Sequence, residues 1–280
     1  MFQIFGRNKH LRVRSSSDEP SLERPVSQAC TYDQFLSPLY AQWCEEVRET
    51  PRLHRKQWEF VYILQALSEK GMLLPGRRGL GFGVGNEPLP AAMAARGCEI
   101  VATDCDYEQA KAAGWVSTDQ HASGAVNDRG ICDATTFAER VRFRVVDMNA
   151  IPEDLLNFDF TWSSCALEHL GSIANGLRFI KQSLQPLVSG GIAVHTTEFN
   201  CYSNWQTIDN NGTVLFRRCD IERVASELSA EGHQISLNFE LGSSPLDNHV
   251  DVAPYSENRH LKLLIGRFAS TSYGLIIQKA

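Results

Sequence analysis

Apolar positions recur along this chain with two periods, and the periods alternate. Between residues 31 and 70 the spacing is helical: Phe35, Leu39 and Trp43 share one stripe, and Trp58, Val61, Tyr62, Leu64 and Leu67 share another. Residues 76–82 then read as a strand, and a helix follows whose first turn holds Pro88 and Pro90, where missing N–H groups cost little. Leu89, Ala92 and Met93 form its sheet-facing side and Gly97 ends it. A second apolar run, Glu99-Ile100-Val101-Ala102-Thr103-Asp104, leads to a short helix over 106–114 and an irregular stretch over 115–130 that holds Trp115, Asp119, Gln120 and His121. Strands are expected at 141–146, 158–163, 192–198, 233–241 and 270–278. Helical stripes separate them, one carrying Leu170, Ile173, Leu177, Ile180, Leu184 and Leu187, the other spanning 220–231. Strand and helix in alternation predict an α/β domain with a mostly parallel sheet. The stretch 242–267 is longer than a hairpin needs. It is expected over the carboxyl ends of the fourth and fifth strands, where ligands bind in open α/β sheets, as a substrate-recognition insert.

Between the first predicted strand and helix stands Gly79-Leu80-Gly81-Phe82-Gly83-Val84-Gly85. Glycines let the backbone turn and approach a ligand, the helix start points free N–H groups at it, and Asp104 at the tip of the next strand can accept ribose hydroxyls. The dinucleotide spacing G-x-G-x-x-G does not fit, because Asn86 or Pro88 falls where its last small residue belongs. The alternation of Gly81, Gly83 and Gly85 instead resembles motif I of class I S-adenosylmethionine (SAM) dependent methyltransferases. In that family an acid usually stands two places before the first glycine and often contacts the methionine ammonium; here the place is Gly79. The later segments also resemble the family. Asp147 sits where an acid after the third strand binds the adenine amine, with Met148 flanking the ring, and Leu167-Glu168-His169-Leu170 is similar to its frequent helix start.

The resemblance spans residues 76–200. It implies a Rossmann-like class I methyltransferase, with a mostly parallel seven-stranded sheet whose last strand is antiparallel and N-terminal helices added. It also implies SAM as cofactor, bound by Gly81, Phe82, Gly83, Gly85, Asp104, Cys105, Asp147, Met148 and Ser163. The domain plan is a disordered tail over 1–28, whose Arg- and Ser-rich composition also fits a transit peptide, a helical cap over 29–75 and the SAM-binding domain over 76–280.

Composition narrows the partners. A net charge of −6 over 280 residues does not describe a basic nucleic-acid binder. Eight cysteines without a C-x-x-C pair suggest neither a zinc site nor a disulfide framework, and read as reduced thiols of a cytoplasmic enzyme. No apolar run approaches the ~20 residues of a membrane span.

Methyl transfer is an in-line displacement, and a hydroxyl acceptor must also lose a proton. His169, Glu198 and His260 are the candidate bases. His195 lies on the other strand face from Glu198, because side chains alternate, and reads equally well as a buried structural residue. Together these features point to a methyltransferase acting on an oxygen of a small molecule or sugar-containing (glycan) metabolite. A SAM-binding regulator without catalysis is the alternative from another class. Glu168-His169-Leu170 followed by Thr196-Thr197-Glu198-Phe199-Asn200 also resembles small-RNA 3′-terminal 2′-O-methyltransferases, which hold a divalent metal in a Glu-x-x-Glu-His pattern. Cys165 replaces the first Glu, and their later His has no counterpart near Phe216. The expectation is therefore no metal.

Overall fold

The computed structural model describes residues 14–112, 126–210 and 212–280; Trp115, Asp119, Gln120 and His121 of the irregular stretch fall outside them. In chain order the strands are β1 (Arg14–Ser16), β2 (Gln28–Ala29), β3 (Arg78–Phe82), β4 (Glu99–Asp104), β5 (Val141–Val145), β6 (Phe158–Ser164), β7 (Leu187–Asn200), β8 (Gln234–Asn238), β9 (Val250–Asp251), β10 (Lys262–Ile265) and β11 (Phe268–Gln278). The helices are α1 (Tyr32–Phe35), α2 (Pro38–Glu46), α3 (Arg55–Glu69), α4 (Leu89–Ala95), α5 (Tyr107–Ala112), α6 (Ala134–Arg140), α7 (Ile173–Gln182) and α8 (Arg218–Ala230). Among the described residues, seven strands lie side by side in the order β5-β4-β3-β6-β7-β11-β8, with the short β1 added at the β8 edge. The first five run parallel, whereas β11 is antiparallel to both β7 and β8. Strand order reverses between β3 and β6, which opens a crevice at their carboxyl ends.

Both faces of the sheet are covered. The α3 stripe of Trp58, Val61, Tyr62, Leu64 and Leu67 is fully buried with α2 and α4 on one side. On the other side Leu177 and Ile180 of α7 pack with Ile221, Val224 and Leu228 of α8. Each such side chain contributes roughly 1.5–3 kcal/mol by leaving water. Among the described residues no helix is long and apolar enough to cross a membrane.

Three expectations change. The tail over 1–28 is not a disordered arm throughout. From Arg14 it is seated: β1 pairs with β8, β2 with β11, and Leu22 is fully buried. The cause is tertiary, since β8 and β11 offer edges that this polar segment completes. The stripe 170–187 is not one helix. α7 ends at Gln182, and Leu187 already belongs to β7. The stretch after β6 is no full helix start either: Cys165 adopts φ 48° and only a 3-10 turn, Leu167–His169, follows before Ser172 caps α7. The insert over 242–267 hangs from the carboxyl end of β7, because β10 pairs Leu263 with Ser270 and β11 pairs Ser270 with Asn200. It folds down on the start of α3, where the His260 N–H donates to the Leu53 carbonyl at 2.8 Å and the Arg55 N–H to the His260 carbonyl at 3.0 Å.

Candidate active site

The pairing of Phe82 with Thr103 and Ser163, and of Ser164 with Thr196, brings the ends of β3, β4 and β6 level, while β7 runs on past them to Asn200. Above them opens a cavity of about 600 Å³. A larger cleft of about 690 Å³ lies between α7 and α8. Ion pairs of Lys181 with Glu227 and Glu231 cross that cleft, and no part of the glycine turn reaches it, so the chemistry is placed in the former.

Gly83, Gly85, Asp104, Cys105, Asp147 and Met148 all line the cavity over the sheet. Gly83 and Gly85 have φ 59° and 50°, the left-handed region that side chains resist. The Gly85 N–H donates to Asp104 Oδ2 at 3.2 Å and the Cys105 N–H to Oδ1 at 2.8 Å, so the turn and the acid hold one another. Asp147 Oδ1 accepts from the Asn149 N–H at 2.8 Å. Burial and the Asp104 charge push the Cys105 thiol up to about 12, which keeps it a neutral wall of the site.

Gly81, Phe82 and Ser163 do not line the cavity. A Cβ on Gly81 would stand 2.3 Å from Trp162 Cζ2, so this glycine makes room for an indole rather than a ligand. Phe82 packs edge-on against Phe179, and the Ser163 hydroxyl is 2.9 Å from His195 Nδ1. Gly81 and Phe82 face opposite sides of β3, but both faces of the sheet are covered, so these positions belong to the core.

The three candidate bases part company. His169 lines the cavity, on the 3-10 turn after β6. Its Nδ1 is 2.9 Å from the Gly212 carbonyl, which can only accept, so Nδ1 carries a proton, and in the neutral ring the lone pair falls on Nε2. Glu198 is 5% exposed, binds Arg55 at 2.5 Å and accepts from Ser270 at 2.8 Å. Burial alone would raise its pKa, but Arg55 and Lys56 hold it below the ordinary carboxylate value, which suits a structural anion better than a base. His260 is 6% exposed, 2.7 Å from Asp251 Oδ2 and stacked on His54, and does not line the cavity. His260, a candidate base, therefore stands away from the cavity; its stack on His54 and its backbone bonds to Leu53 and Arg55 fasten the insert to the start of α3, and Asp251 holds its ring.

Lys56, Glu59 and Phe60 of α3 line the cavity and do not stand out in the sequence. Their one signal is weak: a charged pair at i and i+3 beside an apolar stripe. Glu87 carries no sequence signal either. It is 6% exposed and accepts from the Trp162 indole at 2.6 Å, and burial lifts its pKa well above the carboxylate range.

His195 is fully buried between the Ser163 and Ser183 hydroxyls, each 2.9 Å away, and desolvation depresses it to about 3. An unfolded chain restores about 6.5, so stability from this group is complete above pH 6.5 and is lost as pH falls toward 3. Denaturant unfolding of wild type should show a loss of several kcal/mol across that window, part of which His195→Gln removes. An identical pH slope in the variant would rule this cause out.

No protein-family model and no curated protein matches this chain. Solved structures do resemble it. Magnesium protoporphyrin IX methyltransferase (ChlM) from Synechocystis PCC 6803, with S-adenosylhomocysteine (SAH), is 12% identical over 89% of this chain and 97% of that one, with a TM-score of 0.48. The methyltransferase domain of bacterial CtHen1 is 11% identical over 80% and 100%, with a TM-score of 0.47. Phosphoethanolamine N-methyltransferase 2 of Haemonchus contortus, with SAM, is 17% identical over 70% of this chain, which spans only 40% of that enzyme, with a TM-score of 0.42. The fold is carried by the strand order itself: five parallel strands, a reversal between β3 and β6 and an antiparallel β11 between β7 and β8 make a Rossmann-like fold, consistent with that of class I SAM-dependent methyltransferases.

Proposed function

We propose that this protein is an enzyme that binds SAM in the cavity above β3, β4 and β6 and transfers its methyl group to a hydroxyl of a small, ring-bearing acceptor such as a sugar-containing metabolite. One observation carries the reading: a single cavity has the Gly83–Gly85 turn with Asp104 and Asp147 along it, and His169 in a fixed tautomer on its wall. In this reading Asp104 takes the ribose hydroxyls, Asp147 the adenine amine, and His169 Nε2 the proton of the acceptor. The loop whose Gly212 carbonyl sets His169 also carries Tyr202 and Trp205, which are 75% and 87% exposed, flat faces suited to a sugar ring. Calorimetric titration with SAH tests the cofactor half. Incubation with labelled SAM and a metabolite extract tests the rest, through an O-methylated product identified by mass. SAH binding without any turnover would favour the regulator instead.

The donor set does not suit the divalent metal of the RNA-type enzymes. Cys165, Glu168 and Glu198 offer atoms within 4.8 Å of one another. Burial, however, raises the pKa of Cys165 and Glu168, and Glu198 is engaged by Arg55, so the trio presents little free negative charge to a hard cation. Methyl transfer should therefore persist in EDTA at wild-type rate. Loss of activity in EDTA with rescue by magnesium or manganese would reverse this and favour an RNA acceptor.

A further inference from the structure

Bound SAM carries two charges besides its sulfonium, an α-ammonium and an α-carboxylate, and both need partners in the cavity. The acid that the methyltransferase resemblance places two residues before Gly81 is missing. The fold leaves no room for it: a Cβ on Gly79 would meet the Phe160 ring at 2.4 Å. Strand β3 therefore cannot contribute to the amino-acid end of the cofactor through a side chain. The other carboxylates of the cavity are committed elsewhere. Glu87 is engaged by the Trp162 indole, with burial raising its pKa well above the carboxylate range, and Asp104 is tied to the glycine turn.

We propose that the amino-acid end of SAM is held from the N-terminal cap instead, with the Lys56 ammonium on the α-carboxylate and Glu59 as the residue that positions Lys56. The proposal rests on the methyltransferase reading above. Lys56 is the one lysine or arginine among the described residues that line the cavity, and 41% of its side chain remains exposed. Its ammonium is 3.6 Å from Glu59 Oε1 and 3.8 Å from Glu198 Oε1, both longer than a hydrogen bond. Shorter bonds already serve those carboxylates. Arg55 and Ser270 bind Glu198, while Thr196 at 3.1 Å, Ser164 at 3.2 Å and Ser272 donate to Glu59. The two acids thus fix the ammonium by field without using its N–H donors, and these remain for a ligand. With Arg55 the cluster holds two cations and two anions, so an incoming carboxylate meets no net repulsion. Position agrees as well. Glu59 contacts Ser164 and Cys165 at the end of β6, the strand paired with β3, so the α3 charges stand beside the glycine turn. A carboxylate on this ammonium would draw the cap helix, and the insert fastened to its first turn, onto the bound cofactor.

Two ligands separate this role from a general effect on the pocket. SAH carries the amino-acid end; 5′-methylthioadenosine keeps the adenosine and thioether but lacks it. Lys56→Met should lose tenfold or more in affinity for SAH, the range of a charge-assisted hydrogen bond, with methylthioadenosine affinity within twofold of wild type. Lys56→Arg should restore most of the SAH affinity. Equal losses for both ligands would overturn the proposal by making Lys56 a shaper of the cavity. Unchanged affinity for both would overturn it by placing the carboxylate elsewhere. A wild-type protein that binds neither ligand would overturn the methyltransferase reading along with it, a result distinct from the other two.

Discussion

His169→Ala is expected to lower kcat by about 10²–10⁴ while SAH affinity stays within twofold of wild type. The imidazole lies on the cavity wall beside the end of β6, and its Nδ1–H is committed to the Gly212 carbonyl at 2.9 Å. In the neutral ring that bond selects the tautomer with the lone pair on Nε2, the form a base needs before it takes a hydroxyl proton. The carboxylate rivals are poorly placed to act as the base, since Glu198 is buried on Arg55 and Glu168 is buried with a raised pKa. Steady-state kinetics with SAM and the acceptor, beside a calorimetric titration, make the comparison. A wild-type kcat in the variant would make the imidazole structural and send the proton to solvent. His169→Gln should not rescue, because an amide cannot accept a proton at neutral pH.

Gly83→Val should abolish measurable SAH binding, the largest effect expected on the cofactor side. Two costs act together. The residue sits at φ 59°, where a β-branched side chain is strained. Its Cβ would also stand 2.8 Å from Ala166 Cβ and 3.2 Å from Met148 Sδ, inside the neck of the cavity. Gly81→Ala provides the contrast. Its Cβ would strike Trp162 in the core, so it should lower the melting temperature more than it affects affinity per folded molecule. Thermal unfolding and calorimetry on both variants distinguish the two glycines. Normal SAH binding by folded Gly83→Val would remove the turn from the cofactor site.

The sheet-forming segments and the glycine turn were legible because their signals are local. Period-two runs such as Phe158–Ser164 and the glycine alternation before α4 depend on neighbours a few residues away. Asp104, Asp147 and Met148 could be picked out for the same reason: each stands at or just after the tip of a strand that its own sequence announces. Of the three candidate bases, only His169 lines the cavity. Whether Glu198 and His260 face a ligand or a buried partner depends on Arg55 and Asp251, which no local pattern ties to them.

What the sequence by itself determined was the alternation of strands and helices, the sharp turn after the first long strand and the acids at the strand tips. All of these follow from side-chain periodicity and from the backbone freedom of glycine. Only the tertiary structure decided which face each glycine serves, because Gly79 and Gly81 are filled by Phe160 and Trp162 across the sheet, whereas Gly83 opens on the cavity. It alone brought Glu59 of the cap helix to Ser164 and Thr196 on β6 and β7, which donate to its carboxylate, with Lys56 beside it. And it alone ordered the segment from Arg14 to Ala29, whose polar sequence carries no signal of its own but completes the open edges of β8 and β11. Such contacts join residues far apart in the chain, and their energy comes from burial and pairing that exist only once the sheet has formed.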